Sequence, residues 1–389
     1  MPTQANRIRL TAARRVVIKF GTRVLVDPRG RPNPVRIQAI VDQVSALVKS
    51  GREVVIVSSG AVGAGLDPLG FAKRPADLVS LQMAAAVGQT HLMRMYSERF
   101  EEKGIAVGQI LLNHDDLKQR NRHLNARNAL LGLLRKGVVP IVNENDVVSV
   151  DEIRLGDNDY LAALVSVLVD ADALLLCTSV NGLRAPLGGN RTRRVENLAE
   201  VSQKELDLVG GKGSELSTGG MATKLGAAQM ANRAGAVSLI LDGRKPDALI
   251  RALAGENLGT CIGQAGEEGR IRGKRKHWIA FFHKPTGKLQ VDAGAEKALL
   301  HGGKSLLAAG IVKVEGQFSP GAVVEVRTGE DRRLGSGLVE FSSEDLRLIQ
   351  GKQSGRILEI LGPAVSTEVI HRDNLVLLNE KETDHDEKM

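Results

Sequence analysis

Between residues 14 and 262 the chain alternates short β-branched, apolar runs with longer stretches whose apolar positions recur every three or four residues. RRVVIKFG reads as a strand. Ile37, Ile40, Val41, Val44, Leu47 and Val48 then line one helix face between Pro34 and Gly51, and EVVIVSSG reads as the next strand. IAVGQILL, GVVPIVNEND, ADALLLCTS and AVSLILD continue the strand series, and helices are predicted over 75–103, 125–136, 158–169 and 221–234. Strands this uniformly apolar are buried on both faces, so the pattern predicts an α/β fold: a mainly parallel open sheet sandwiched by helices. Sites in such sheets gather at the carboxyl ends of strands. The glycine and polar clusters of this chain fall there: Lys19 to Thr22, Ser58 to Gly65, Asn143 to Asp146, and Thr178 to Gly182.

GQAGEEGRIRGKRK, residues 263–276, has no apolar periodicity and reads as a linker. After it, WIAFF, KLQVD, GIVKVEG, AVVEVRT, GLVEF and VIHRDNLVLL are short strands spaced by turn residues, with helical stretches near 295–301 and 343–350. This texture predicts a small β-rich, barrel-like second domain. NEKETDHDEKM closes the chain as a solvated charged tail.

Composition narrows the partners. With 53 Lys and Arg against 45 Asp and Glu in 389 residues, the net charge of +8 favours anionic ligands, while an aromatic content of 3% is low for a surface that stacks single-stranded bases. Cys177 and Cys261 lie in apolar segments, far from any cysteine or histidine cluster. Neither a disulfide framework nor a metal site is expected, and a reducing, cytoplasmic setting is. The sequence contains no apolar run long enough to span a membrane. Residues 1–26 are basic and lack acids, a transit-peptide trait, but the first strand begins so early that residues 1–13 read as a flexible tail.

Four clusters carry candidate chemistry. Lys19, at the end of the first strand and followed by Gly21 and Thr22, could reach a phosphate or could be a solvated strand-end lysine. In VSSGAVGAG, Gly60, Gly63 and Gly65 lack dinucleotide-fold spacing and read as a strand-to-helix turn with exposed N–H groups. NENDVVSV and RLGDNDYLAAL bring Asn143, Asn145, Asp146, Asp157, Asn158 and Asp159 into one short span. Capping of a helix N-terminus explains one such carboxylate; an ammonium, magnesium or a pair of lysines would call for the set. In STGGMATK the small residues could wrap an anion with Lys224 one turn into the helix, or could merely cap a helix whose stripe includes Met221, Leu225 and Ala228. Lysines, glycine turns and carboxylates at strand ends are what phosphoryl transfer needs, since it depends on charge neutralisation and alignment.

VIKFGTRVL, VIVSSGAVGAG, LQMAAAVGQ, VGQILLN, HLNARNALLGLL, PIVNENDVV, LGDNDYLAA and TGGMATK, in this order, resemble the amino-acid kinase family. Residues 277–370, with GQFSPGAVVEV and VIHRDNLVL, resemble the PUA domain, an RNA-associated module. The resemblance divides the chain into a tail (1–13), a kinase domain (14–262), a linker (263–276), a PUA domain (277–372) and a charged tail (373–389). It implies transfer of the ATP γ-phosphoryl group to the side-chain carboxylate of L-glutamate, the first step of proline biosynthesis, with Mg2+ accompanying ATP. Lys19 and Lys224 would stabilise the moving group and Asp159 would orient them. Ser59, Gly60, Asp146, Asn158 and the nearby Asp157 would hold glutamate. ATP would lie against Lys19, Thr178 and Ser179, and against Thr218, Gly219, Gly220, Met221, Ala222, Thr223 and Lys224. Feedback inhibition by proline, a homo-oligomer (dimer or tetramer), contact with glutamyl phosphate reductase and RNA binding through the PUA domain complete what is implied.

One departure bears on the nucleotide. The family usually carries an aspartate after the Ser or Thr that follows the fifth strand, but Ser179 follows Thr178 here, and the downstream GLRAPLGGNRT also departs from the family pattern. This predicts weakened or altered nucleotide binding. Two other readings compete: a related kinase with a different acceptor, and an RNA-binding protein using Arg270, Arg272, Lys274, Arg275 and Lys276.

Overall fold

Asn33 accepts hydrogen bonds on its side chain from Val35 N and Arg36 N, and Pro34 takes the first helical position, so the helix inferred from the Ile37 to Val48 spacing starts at a proper N-cap. The same agreement of local signal and element runs through most of a computed structural model that describes residues 2–148, 158–188, 191–202, 205, 220–263, 279, 285–361 and 368–378. The chain divides into two units, Met1–Arg270 and Ile271–Met389.

In chain order the first unit contains α1 (Pro2–Ala12), β1 (Arg15–Phe20), α2 (Thr22–Leu25), α3 (Pro34–Lys49), β2 (Glu53–Val57), α4 (Ala61–Gly65), α5 (Leu78–Glu101), β3 (Val107–Leu112), α6 (His114–Lys118), α7 (Arg120–Arg135) and β4 (Val139–Glu144). There follow α8 (Asn158–Leu168), β5 (Ala173–Thr178), β6 (Arg184–Gly188), β7 (Arg191–Arg194), β8 (Asn197–Leu198), α9 (Met221–Arg233), β9 (Val237–Asp242), α10 (Ala248–Leu253) and β10 (Thr260–Ile262). Among the described residues one sheet of eight strands has the order β3-β4-β2-β1-β5-β9-β10-β8. Its pairs are parallel except β9 with β10. Residues of both strand faces, such as Val17 with Ile18 and Val55 with Ile56, are fully buried, as strands covered by helices on each side must be. β1 sits centrally, Lys19 pairing with Val57 of β2 and Leu176 of β5.

Residues 1–13 were expected to be a flexible tail, and the structure corrects this. Residues 2–12 form α1, Leu10 is fully buried, and the Arg7 guanidinium donates to the carbonyls of Glu256, Leu258 and Glu196 at 2.8–3.2 Å. Hydropathy hides this anchor, because the segment docks largely through an arginine satisfying loop carbonyls. GLRAPLGGNRT, which departs from the family pattern, contributes to the antiparallel β6–β7 hairpin.

The second unit contains β11 (Gly287–Val291), α11 (Ala293–Gly302), β12 (Leu306–Leu307), β13 (Ile311–Gly316), β14 (Val323–Arg327), β15 (Arg333–Leu338), α12 (Ser343–Ile349), α13 (Ser354–Leu361), β16 (Glu368–Ile370) and β17 (Leu375–Leu377). Among the described residues its main sheet runs β13-β11-β14-β15-β17 over a core that includes Leu289, Val324, Val326 and Leu334. VIHRDNLVLL, read as strand, supplies β17, which pairs with β15 and buries Leu375 and Val376, so the second domain runs past the boundary set at 372. In WIAFF, read as a strand, Ile279 is described and is helical. The linker stretch 264–276 and residues 379–389 lie outside the described residues.

Candidate active site

Asp159 is fully buried in the first turn of α8, an arrangement that costs several kcal/mol unless the charge is paired. Its two carboxylate oxygens are divided between two ammonium groups. Lys19 Nζ, from β1, lies 2.6 Å from Oδ1, and Lys224 Nζ, from the first turn of α9, lies 2.8 Å from Oδ2. Both lysines are at least 95% buried, and Thr223 Oγ1 stands 3.2 Å from Asp159 Oδ2 and 2.7 Å from Gly220 O. Burial opposes ionisation of Asp159, but the charges and hydrogen bonds of Lys19 and Lys224 prevail and hold its carboxyl below the usual range. Two buried ammonium groups thus converge on one carboxylate. A polyanion such as a nucleotide phosphate is the natural complement.

The burial of Lys224 bears on the choice posed by the sequence around it. A capping segment on an apolar helix has no reason to bury a lysine. Here Lys224 is buried beside Leu225 and Ala228 while Gly220, in extended conformation, forms the N-cap without a side-chain hydrogen bond. Met221 is half-buried, and Ala222 and Thr223 are exposed. Thr218 and Gly219 lie outside the described residues, as does Asp157.

Next to the lysine pair, at the ends of β2 and β4, a cavity of about 230 Å3 is lined by Ser59, Gly60, Asn143, Asp146, Asn158 and Arg74 among others. Its floor is a buried chain of amides. Asn158 Nδ2 donates to Ser58 O at 2.6 Å and to Asn143 Oδ1 at 2.8 Å, with Ser59 Oγ at 3.4 Å, and Asn143 Nδ2 donates to Gln89 Oε1 at 2.8 Å. Asp146, at the rim, has its pKa raised to about 6 because burial outweighs the opposing charge of Arg74. The site therefore joins the lysine pair to a small pocket whose polar lining mixes amide, hydroxyl and carboxylate groups with the guanidinium groups of Arg29 and Arg74.

The glycine turn after β2 lines this cavity through Gly60 and Gly63 and packs helices through Gly65. Gly60 does adopt a left-handed conformation, φ 96°, that side chains disfavour. Gly65 instead packs α4 onto α5: a Cβ there would lie 1.9 Å from Ala84 O, and one on Gly88 would lie 1.8 Å from Ala61 O. Close helix packing, absent from the sequence reading, is what these small residues supply.

Thr178 ends β5, and Ser179 follows, both half-buried. Asp242, at the end of the adjoining strand β9, makes two 2.9 Å contacts with Arg244, which also donates to Ser179 O at 2.6 Å. Burial opposes ionisation of Asp242, yet Arg244 keeps it below the usual carboxylate range. The sequence reading missed Asp242, Arg244, Arg74 and Gln89. Gln89 lies within a quoted motif, but the helical period marks no chemistry there. Arg74 lies in a loop with no pattern to flag it.

The fold and this arrangement define a phosphoryl-transfer class, and the family model described as the amino acid kinase family matches residues 14–241 while that of the PUA domain matches residues 287–361. The chain belongs to the amino acid kinase family. It is 45% identical over 371 residues to the glutamate 5-kinase of Citrifermentans bemidjiense, covering 95% of this chain and 99% of the relative. It is 43% identical over 380 residues to that of Moorella thermoacetica, covering 97% and 100%, and 44% identical over 376 residues to that of Chromohalobacter salexigens, covering 96% and 98%.

Proposed function

We propose that this chain phosphorylates the side-chain carboxylate of L-glutamate with ATP, giving L-glutamyl 5-phosphate and ADP and so opening proline biosynthesis. The observation that carries the reading is Asp159 bridging Lys19 and Lys224 beside the amide-floored cavity. A carboxylate oxygen of glutamate attacks the γ-phosphorus as the bond to the β,γ-bridging oxygen breaks. Lys19 and Lys224 neutralise the oxygens of the transferring group, and Asp159 fixes their ammonium groups before substrate arrives, which removes reorganisation from the barrier.

In this reading Asp146 and the acceptor oxygen of Asn158 receive the α-ammonium, with Ser59 and Gly60 closing the pocket. Thr178, Ser179 and the segment from Thr218 through Lys224 hold ATP. Among the described residues there is no cluster of three or more acidic, histidine or cysteine side chains for a resident metal, and both oxygens of Asp159 face lysines. Mg2+ would enter on the ATP phosphates, where it would supply charge neutralisation.

The proposal extends to a cytoplasmic setting, feedback inhibition by proline at the glutamate pocket, RNA contact through the PUA domain and hand-over of the labile product to glutamyl phosphate reductase. No described helix is long and apolar enough to cross a membrane. Exposed Val79 and Met83 on α5 support a homo-oligomer, a dimer or tetramer, with this helix at the interface.

Trapping the acyl phosphate with hydroxylamine tests the reaction, with L-glutamate, D-glutamate, aspartate and N-acetylglutamate as separate acceptors. A hydroxamate signal confined to L-glutamate and lost in Lys224→Ala is expected. A stronger signal with another acceptor would reassign the substrate.

A further inference from the structure

Gln89 belongs to α5, on the far side of the amide floor from the cavity, and it is 91% buried. It accepts from Asn143 Nδ2 at 2.8 Å, and its own Nε2 has no hydrogen-bond partner among the described residues. A glutamine buried with half of its amide unsatisfied is a costly way to fill space, since an unpaired buried polar group opposes folding. Its oxygen must do something that an apolar side chain could not.

We infer that Gln89 is a positioning residue that sets the polarity of the acceptor pocket, an inference resting on the glutamate reading above. An asparagine amide has a donor end and an acceptor end of nearly the same shape, so its orientation is decided by its neighbours. Gln89 Oε1 claims the donor end of Asn143, which turns Asn143 Oδ1 toward Asn158 Nδ2. That bond, with Ser58 O at 2.6 Å, commits the donor end of Asn158 to protein. Both N–H groups of Asn158 and one of Asn143 are thus committed to protein, which leaves the oxygen of Asn158 to offer a ligand an acceptor, and together with Asp146 this suits an α-ammonium. Without the glutamine oxygen the Asn143 amide is free to rotate. It would then present a donor to the Asn158 donor, and the relay would turn donors toward the ammonium.

Gln89 touches no ligand in this account and acts only through Asn143. The test compares L-glutamate with glutarate, which keeps both carboxylates and the chain length but lacks the ammonium, in wild type, Gln89→Met and Gln89→Glu. In Gln89→Met the KM for L-glutamate is expected to rise about tenfold, with the KM for ATP within twofold, and the preference for L-glutamate over glutarate to shrink by a similar factor. Gln89→Glu keeps an acceptor at the same place and is expected to retain the preference. A preference unchanged in Gln89→Met, or equal losses for both acceptors and ATP, overturns the inference. Calorimetric titration of the full chain with L-glutamate and with glutarate reads the same preference without turnover. An enzyme that is inactive on L-glutamate thus refutes the kinase reading separately from this one.

Discussion

Lys19 Nζ and Asp159 Oδ1 meet 2.6 Å apart with side-chain exposures of 4% and 0%, joining the central strand of the sheet to the start of α8. Because Lys224 holds the other oxygen, Asp159 is shared by two buried ammonium groups and aligns both. Replacing it with asparagine preserves shape and removes the charge. Asp159→Asn is expected to lower kcat by about 100-fold or more and to cost about 3–5 kcal/mol of stability, as breaking a buried pair does. Steady-state kinetics and urea unfolding on the same sample check both. A variant with unchanged unfolding free energy would mean that the two ammonium groups find neutralisation elsewhere.

Asp146 gives a pH dependence. Its folded-state pKa of about 6 stands above the ordinary 3.8, so the folded protein binds more proton than the unfolded chain between those values. The contribution of this group to stability is therefore fully present at low pH and is lost as pH rises through about 6. Its contribution to binding runs the opposite way, because only the ionised form attracts an ammonium. kcat/KM for L-glutamate is expected to fall tenfold per pH unit below about 6, and to flatten in Asp146→Asn at a lower level. kcat at saturating glutamate should depend less on pH, since the bound ammonium draws the carboxyl back toward its usual range.

Ser179 stands beside the ion pair of Asp242 and Arg244, whose guanidinium donates to the Ser179 carbonyl at 2.6 Å. An aspartate at 179 would add a carboxylate near a guanidinium already in place. Ser179→Asp is expected to lower the KM for ATP several-fold, about what one charge-assisted hydrogen bond contributes, and to change the ATP to GTP ratio without altering the KM for L-glutamate. If ATP binds with an ordinary KM that is indifferent to this change, the departure of residue 179 from the family pattern has no consequence for the nucleotide.

How much of this could be read from the sequence depended on whether local pattern or long-range pairing decided the outcome. β1, β2, β4, β5 and β9 were legible because buried parallel strands write themselves as unbroken apolar runs, and α3 and α5 because their stripes repeat at the helical period. Lys19, Asp159 and Lys224 were found as motifs, but only the fold shows that lysines 205 positions apart in the chain share one carboxylate. The docking of α1 was illegible, since Arg7 is held by carbonyls of loops that carry no sequence signal of their own. The packing roles of Gly65 and Gly88 were illegible because a glycine looks the same in sequence whether it admits an anion or a neighbouring helix.

That last ambiguity has a direct experiment. A methyl group at Gly88 would fall 1.8 Å from Ala61 O and 2.5 Å from Gly65 N, both backbone atoms that cannot swing aside as a side chain would. Gly88→Ala must therefore push α5 away from α4, opening the packing of Leu81, Ala84 and Ala85 against Val62 and Leu66. Alanine favours a helix by about 1 kcal/mol over glycine, so on propensity alone the change would stabilise α5. Overpacking against backbone typically costs about 1–3 kcal/mol and should win, lowering Tm by several degrees. The displacement also moves Gln89, the next residue, off Asn143, so the KM for L-glutamate should rise while the KM for ATP does not. Thermal unfolding together with the two KM values separates these effects, and a Gly88→Ala protein of higher Tm would show that α4 and α5 do not pack this closely.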